Sequence, residues 1–416
     1  MSDGEDRTPK PRRSARHASQ TRDPQPSPTR PPRSQLTSVA ALADPPIFTL
    51  PQRARPIAAQ PSYTHVLASS EQTKSQVSRG TSSADSRSST KRSASPVKGL
   101  ADLVFTDKAF RYTALEDLDN ADILGEDILE LHLEVSGLEG FDGVIPSAVR
   151  PRVEELFKGK LVGRPRDANY SDRSSRPVLE LERELLDVDD VARRSREYES
   201  RQFAEPAWNE DVHGRVMEIA LRCCEGVARR NITTAQISPK DLIPRHNLGG
   251  LVEGKMVDYA ISLTSLDLEE KIISALESES SATALSINHT FYTPLRSSPI
   301  AISIETKTPD RTGGEAKAQL AVWGTAHLER LRRFLEARKS PVDLPTLPLV
   351  HIVGVHWWLY YIRMDPKTGV TKMFGRYYLG DTKSLVDVYK LLCVIRCFAK
   401  WAVGAYRSWW DQCLAL

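Results

Sequence analysis

Two carboxylates and an amine stand out in this chain for where the residue pattern puts them. In PIAISIETK (299–307) the apolar residues alternate, so Ile300, Ile302 and Ile304 share one face of a strand and Ser303, Glu305 and Lys307 share the other. A carboxylate and an amine thus emerge side by side at the end of an otherwise apolar strand. In KMVDYAISL (255–263) the same alternation sets Val257, Tyr259 and Ile261 on one face and Asp258 opposite. If the two strands are neighbours, Asp258 approaches Glu305. Two close carboxylates in water-poor surroundings repel one another unless a cation lies between them. Oxygen ligands of this kind favour Mg²⁺ or Mn²⁺ over zinc. Such an ion polarises a phosphoryl oxygen, and Lys307 can hold or deprotonate the attacking water and offset developing charge. The chemistry is phosphodiester hydrolysis. A lone Glu-x-Lys is more often a surface ion pair worth under about 1 kcal/mol; context separates the two readings.

That context is the order of elements. EPAWNEDVHGRVMEIALRCC (205–224) sets Trp208, Val212, Val216 and Ile219 at helical spacing, with Pro206 in the first turn. TTAQIS (233–238) and KMVDYAISL read as strands, a helix spans 267–277, and PIAISIETK is the third strand. After Gly313-Gly314 comes a long amphipathic helix, EAKAQLAVWGTAHLERLRRFLEARK. The β-branched and aromatic LVHIVGVHWWLYYIR then reads as one buried strand, MFGRYYLGD as another, and SLVDVYKLLCVIRCFAKWAVGAYRSWW as a closing helix. Three consecutive strands can pair as a meander before a helix crosses over, which predicts an α/β sandwich with a mixed sheet.

The rest of the chain is unlike this core. Residues 1–100 are rich in Ser, Pro, Arg, Thr and Gln and carry 16 Lys/Arg against 7 Asp/Glu. They predict a disordered basic tail, since they cannot bury enough apolar surface to offset ordering. The whole chain is only +3, so the remainder is near −6. The basic charge therefore sits on the tail, suited to nonspecific attraction to phosphates or to an import signal such as PKPRRSAR (9–16), or simply to solubility. Residues 101–200 predict a helical arm, with pieces at 127–134, 148–158 and 178–198, the last a solvated helix laced with charge. Residues 201–416 hold the core. The polar start is no secretory signal, and no run approaches the ~18 apolar residues of a membrane span. Five cysteines without a paired CxxC set fit a reducing compartment, so the expected setting is cytoplasm or nucleus.

Asp258, then Glu305-x-Lys307, then Gln319, in the order α, β, β, β, α, β, resembles the PD-(D/E)XK nuclease superfamily over about residues 200–412. The wording of KMVDYAISL, ISIETKTP and QLAVWGTAHLERL is similar to its fungal branch. The resemblance implies a restriction-endonuclease-like fold in which Asp258 and Glu305 bind the metal and Lys307 serves the attacking water. It also implies a further ligand on the first helix, one of Glu205 or Glu210. Glu205 is preferred because Glu205, Asn209 and His213 make a polar stripe at i, i+4 and i+8; a plain helix N-terminal carboxylate explains it equally. Gln319 with Trp323 resembles the QxxxY pattern of RecB-like nucleases, although Trp323 alone reads as core. Val257 stands where the superfamily's motif has Pro, and the gap from Asp258 to Glu305 is long. His351, His356, Trp357 and Trp358 read as core, His356 as a satisfied buried histidine. Arg330, Arg332, Arg333, Arg338 and Lys339 on the long helix could touch a phosphate backbone or line a solvated face. The implied function is a Mg²⁺- or Mn²⁺-dependent nuclease acting on nucleic acid, DNA by preference. The alternatives are a nuclease fold that binds without turnover and an interaction protein in which the ETK is incidental.

Overall fold

The computed structural model of the chain describes residues 100–115, 124–160, 162–247, 256–279, 285–309 and 313–415. The expected disordered tail, 1–100, lies outside the described residues but for Leu100. Seven strands make one sheet: β1 (Phe110–Ala114), β2 (Val227–Asn231), β3 (Tyr259–Leu263), β4 (Ile300–Lys307), β5 (Leu347–Val353), β6 (His356–Met364) and β7 (Thr371–Gly380). Their order across the sheet is β1-β7-β6-β5-β4-β3-β2. β4 is therefore interior, antiparallel to β3 and parallel to β5, with Tyr259 opposite Ile304 and Glu305 opposite His351. All eight of its residues are buried, as a strand covered on both faces requires.

Each face has its own helices. α4 (Leu266–Glu277) joins β3 to β4, and between β4 and β5 runs α5 (Gly313–Ala337), on the side of Ser303: Trp323 Nε1 donates to Ser303 Oγ at 3.0 Å. Gly324 lets the helix sit this close, because a Cβ there would stand 2.9 Å from Ile362 Cδ1. On the other face lies α3, a helical run made of Glu205–Trp208, a π-helical turn Asn209–His213 and Gly214–Leu221. Trp208, Val212, Val216 and Ile219 are all buried, as their spacing predicts. The closing helix α6 (Leu385–Trp401) packs on α3, and with it on two helices that precede the core, α1 (Glu126–Ser136) and α2 (Val178–Arg201).

Four expectations are corrected, each for a physical reason. The first strand is not TTAQIS but Val227–Asn231; as the outermost strand it tolerates Arg229 and Arg230, while Asn231 Oδ1 captures the Thr233 N–H and turns the chain away. The aromatic run is a hairpin rather than one strand, because Gly354 adopts φ +54° between β5 and β6. β1, too short and polar to stand out, adds a parallel edge strand to β7. The expected solvated arm helix is a packed one: Leu181, Leu185, Val188 and Ala192 of α2 are buried at helical spacing, and several of its charges are paired. Glu184, 1% exposed, accepts from Arg176 and Arg396 at 2.6 Å each, and Asp187 accepts from Arg215 at 2.7 Å. The segment 101–200 thus supplies an edge strand and a covering helix to the same sheet.

Candidate active site

The strand register brings Asp258 and Glu305 together. Asp258 stands just before β3, which begins at Tyr259, so its side chain is not bound to strict alternation. It hooks onto the adjoining strand, where Oδ2 accepts from the Thr306 N–H at 2.9 Å and from its hydroxyl at 2.8 Å. Thr306 was not anticipated, because alternation sends its side chain away from Glu305. Its backbone N–H and hydroxyl nevertheless fix the Asp258 carboxylate beside the end of β4.

Glu305 is 1% exposed and Lys307 7%. The Lys307 ammonium donates to Glu305 Oε1 and, at 2.8 Å, to the Thr306 carbonyl, and lies 3.7 Å from Glu205 Oε1. Burial, followed by the charge of Asp258, pushes the Glu305 carboxyl up to about 8. Burial works to lower the Lys307 ammonium, yet the carboxylates of Glu305, Glu205 and Asp258 hold it above its ordinary value. The site is thus an excess of carboxylate gathered round one ammonium, in poorly hydrated surroundings.

The polar stripe on the opening helix reaches this cluster through Glu205. Glu205 meets Lys307, the Asn209 carbonyl accepts from Tyr259 OH at 2.6 Å, and His213 Nε2 donates to the Gly354 carbonyl at 2.7 Å. The Gly354 N–H in turn donates to the Lys307 carbonyl at 2.8 Å. His213 therefore anchors the backbone that carries Lys307. Gly354 is confined here, since a Cβ would stand 2.7 Å from Pro309. Gln319 reaches the segment leading into Asp258 and not the Glu305–Lys307 pair: its Nε2 donates to the Met256 carbonyl at 3.3 Å, while its Oε1 is buried without a partner. Trp323 is core, as read. His356 is not buried; it is half-exposed, with Nδ1 3.0 Å from Tyr378 OH. The arginines of α5 and Arg338 just after it are engaged within the protein: Arg330 is fully buried against Glu279, Arg332 and Arg333 hold Glu329, and Arg338 donates to the Cys413 carbonyl. They make no free basic face.

Among the described residues no three His, Cys, Asp or Glu side chains already form a metal-holding group. A hard divalent ion needs no such cage, since it keeps waters and takes one or two carboxylates plus substrate oxygens. The donor chemistry fits: Asp258 keeps Oδ1 beyond its bonds to Thr306, and Glu305 is a buried carboxyl whose charge lacks a strong enough counterion.

Four buried histidines set the acid limit of the fold. His213, His289, His327 and His351 are each no more than 2% exposed. Burial pushes His213 down to about 4 and His327 and His351 to about 3, and holds His289 well below its ordinary value, with repulsion from His327 adding to the last. They stay neutral in the fold, whereas in the unfolded chain they take up protons near 6.5. Their contribution is complete above about pH 6.5 and is lost as pH falls toward 4, by up to about 1.4 kcal/mol per pH unit for each. Glu305 works in the opposite sense, because its raised carboxyl is protonated first in the fold, but one group does not offset four. Urea midpoints are expected to hold between pH 8 and 7 and to drop between pH 6.5 and 4.5. A midpoint at pH 5 equal to that at pH 7.5 would contradict this.

Comparison with known protein families matches residues 160–407, more than half of the chain, to the PD-(D/E)XK nuclease superfamily. The chain belongs to that superfamily, and its seven-stranded mixed sheet with flanking helices is the restriction-endonuclease-like architecture. No curated protein and no solved structure matches the chain.

Proposed function

We propose that this member of the PD-(D/E)XK nuclease superfamily hydrolyses phosphodiester bonds of nucleic acid, DNA by preference, with Mg²⁺ or Mn²⁺, and that its likeness to the fungal branch reflects common descent. The observation that carries the reading is the buried Glu305–Lys307 pair beside Asp258 at the end of an interior strand. A buried carboxyl held up at about 8 even with the Lys307 ammonium in contact is under-neutralised, and a divalent ion would supply the missing positive charge.

Asp258 and Glu305 hold the divalent ion in this reading, with Glu205 the further carboxylate across Lys307. When bound, the ion polarises the phosphoryl oxygen and makes a bound water more acidic. Thr306 fixes the orientation of Asp258. Lys307, protonated, donates to the attacking water or to the oxygen that gains charge. Gln319 braces the chain that leads into Asp258. No helix among the described residues is long and apolar enough to cross a membrane, and the five cysteines are free; an intracellular setting, cytoplasmic or nuclear, suits both. The basic tail would add phosphate attraction that weakens as salt rises.

The test is cleavage by the purified full chain of supercoiled plasmid, linear duplex, single-stranded DNA and RNA, with Mg²⁺, with Mn²⁺ and with EDTA. Cleavage that requires the divalent ion is expected. Failure on all four substrates, by protein that still binds Mn²⁺, would leave a nuclease fold that binds without turnover.

A further inference from the structure

Beyond Glu305 the same sheet face continues into a patch that the cleavage chemistry does not use. Across β5 the partner of Glu305 is His351, and across β6 the partner of His351 is Trp358, which in turn opposes Tyr378 of β7. The Trp358 ring lies 6.0 Å from His351, 5.7 Å from His356 and 5.9 Å from Tyr378. Arg376 sits over the indole at 5.5 Å. Trp358 and His356 are half-exposed, and Tyr378 is 43% exposed. Lys317, on the first turns of α5, is close enough to Arg376 for the two charges to repel, and both act on His351 together with Lys307. Among the described residues neither Lys317 nor Arg376 has an ion-pair partner. His351 is 2% exposed and its Nε2 has no partner.

This combination is unusual for a chain whose remainder outside the tail is near −6. Two unneutralised cations held near each other call for an anion, and exposed rings on a rigid sheet offer flat π surface. Duplex DNA would use the cations through its phosphates, but its bases are stacked on one another and leave the rings idle. An unpaired strand uses both, phosphates on the cations and bases on the rings.

We infer that the face formed by Trp358, Tyr378, Arg376 and Lys317, floored by His351, binds an unpaired nucleic-acid strand and feeds it to Glu305 and Lys307. The substrate class is then single-stranded nucleic acid, or a splayed end, rather than intact duplex. A base stacks on Trp358, the flanking phosphates lie on Arg376 and Lys317, and His351 Nε2 meets a base edge or a phosphate oxygen. The inference rests on the nuclease reading for its substrate, but binding tests it without turnover.

The experiment measures anisotropy of labelled oligo-dT and oligo-U 20-mers and of a 20-base-pair duplex with the full chain in EDTA, where cleavage cannot interfere. The single strands are expected to bind more tightly than the duplex. Trp358→Ala should weaken oligo-dT binding roughly tenfold, with Trp358→Phe keeping most of it. Arg376→Ala should lower the slope of log affinity against log salt by about 0.7. Duplex binding and Mn²⁺ binding should be unchanged in Trp358→Ala, and thermal melts of both tryptophan variants control for folding. Duplex binding as tight as single-strand binding, or equal weakening of both by Trp358→Ala, overturns the inference and leaves the nuclease reading intact. A chain that binds neither overturns both.

Discussion

Glu305→Gln is expected to abolish divalent-ion binding and phosphodiester cleavage together, the latter by on the order of 10³-fold. The amide keeps the shape of the side chain in a site that is 1% exposed, but removes the charge that a cation would neutralise. The fold should hardly notice. Burial and Asp258 push the Glu305 carboxyl up to about 8, toward the uncharged form that an amide resembles. Lys307 keeps the Thr306 carbonyl at 2.8 Å and Glu205 at 3.7 Å. The same geometry gives the pH dependence its sign: below about pH 8 a proton competes with the ion for Glu305, so Mn²⁺ affinity in the wild type should rise with pH and level off above 8. Mn²⁺ titration followed by electron paramagnetic resonance at pH 6, 7, 8 and 9 reads both effects. Undiminished Mn²⁺ binding by Glu305→Gln, or affinity flat from pH 6 to 9, would remove Glu305 from the site.

The Glu305–Lys307 pair is legible in the sequence because β4 obeys alternation, whereas Asp258 stands just before β3 and is oriented by its bonds to Thr306. PIAISIETK forms β4 as read, with Glu305 and Lys307 on one face, and Tyr259 pairs with Ile304 so that Asp258 arrives beside Glu305. What was not legible depends on contacts between distant segments. Thr306 holds Asp258 from the face that alternation assigns to the core, and His213 reaches Lys307 only through Gly354. The polar stripe hinted at the second of these; nothing local hints at the first. The charged helix Val178–Arg201 reads as solvated from its charge density, which masks the apolar spacing of Leu181, Leu185, Val188 and Ala192. Glu184 shows why such helices mislead, since a buried carboxylate is tolerated once two arginines from elsewhere converge on it. Two arginines of α5 mislead in the opposite direction, as Arg330 and Arg333 pair with Glu279 and Asp241, far away in sequence.

Lys307→Ala should separate ligand from catalyst. In the metal-free protein the Lys307 ammonium is the resident counterion, in contact with Glu305 and near Glu205. Its removal takes away a competitor for both carboxylates, so Mn²⁺ binding above pH 8 is expected to persist or tighten. Cleavage should fall by ~10² or more, because the amine no longer holds the water or meets developing charge. Its protonation favours the second of the roles open to it. Although burial opposes the charge, Glu305, Glu205 and Asp258 keep the ammonium above its ordinary value, so at neutral pH it has no lone pair with which to take a proton. A donor of this kind can be replaced in part by another cation, and Lys307→Arg should recover some activity that Lys307→Met does not. A proton acceptor would show the reverse, with Lys307→Arg as inactive as Lys307→Met because the guanidinium does not deprotonate. Single-turnover rates at saturating Mn²⁺ for the three variants decide between them. Rates in Lys307→Ala equal to the wild type would leave the amine a structural counterion and take it out of the cleavage step.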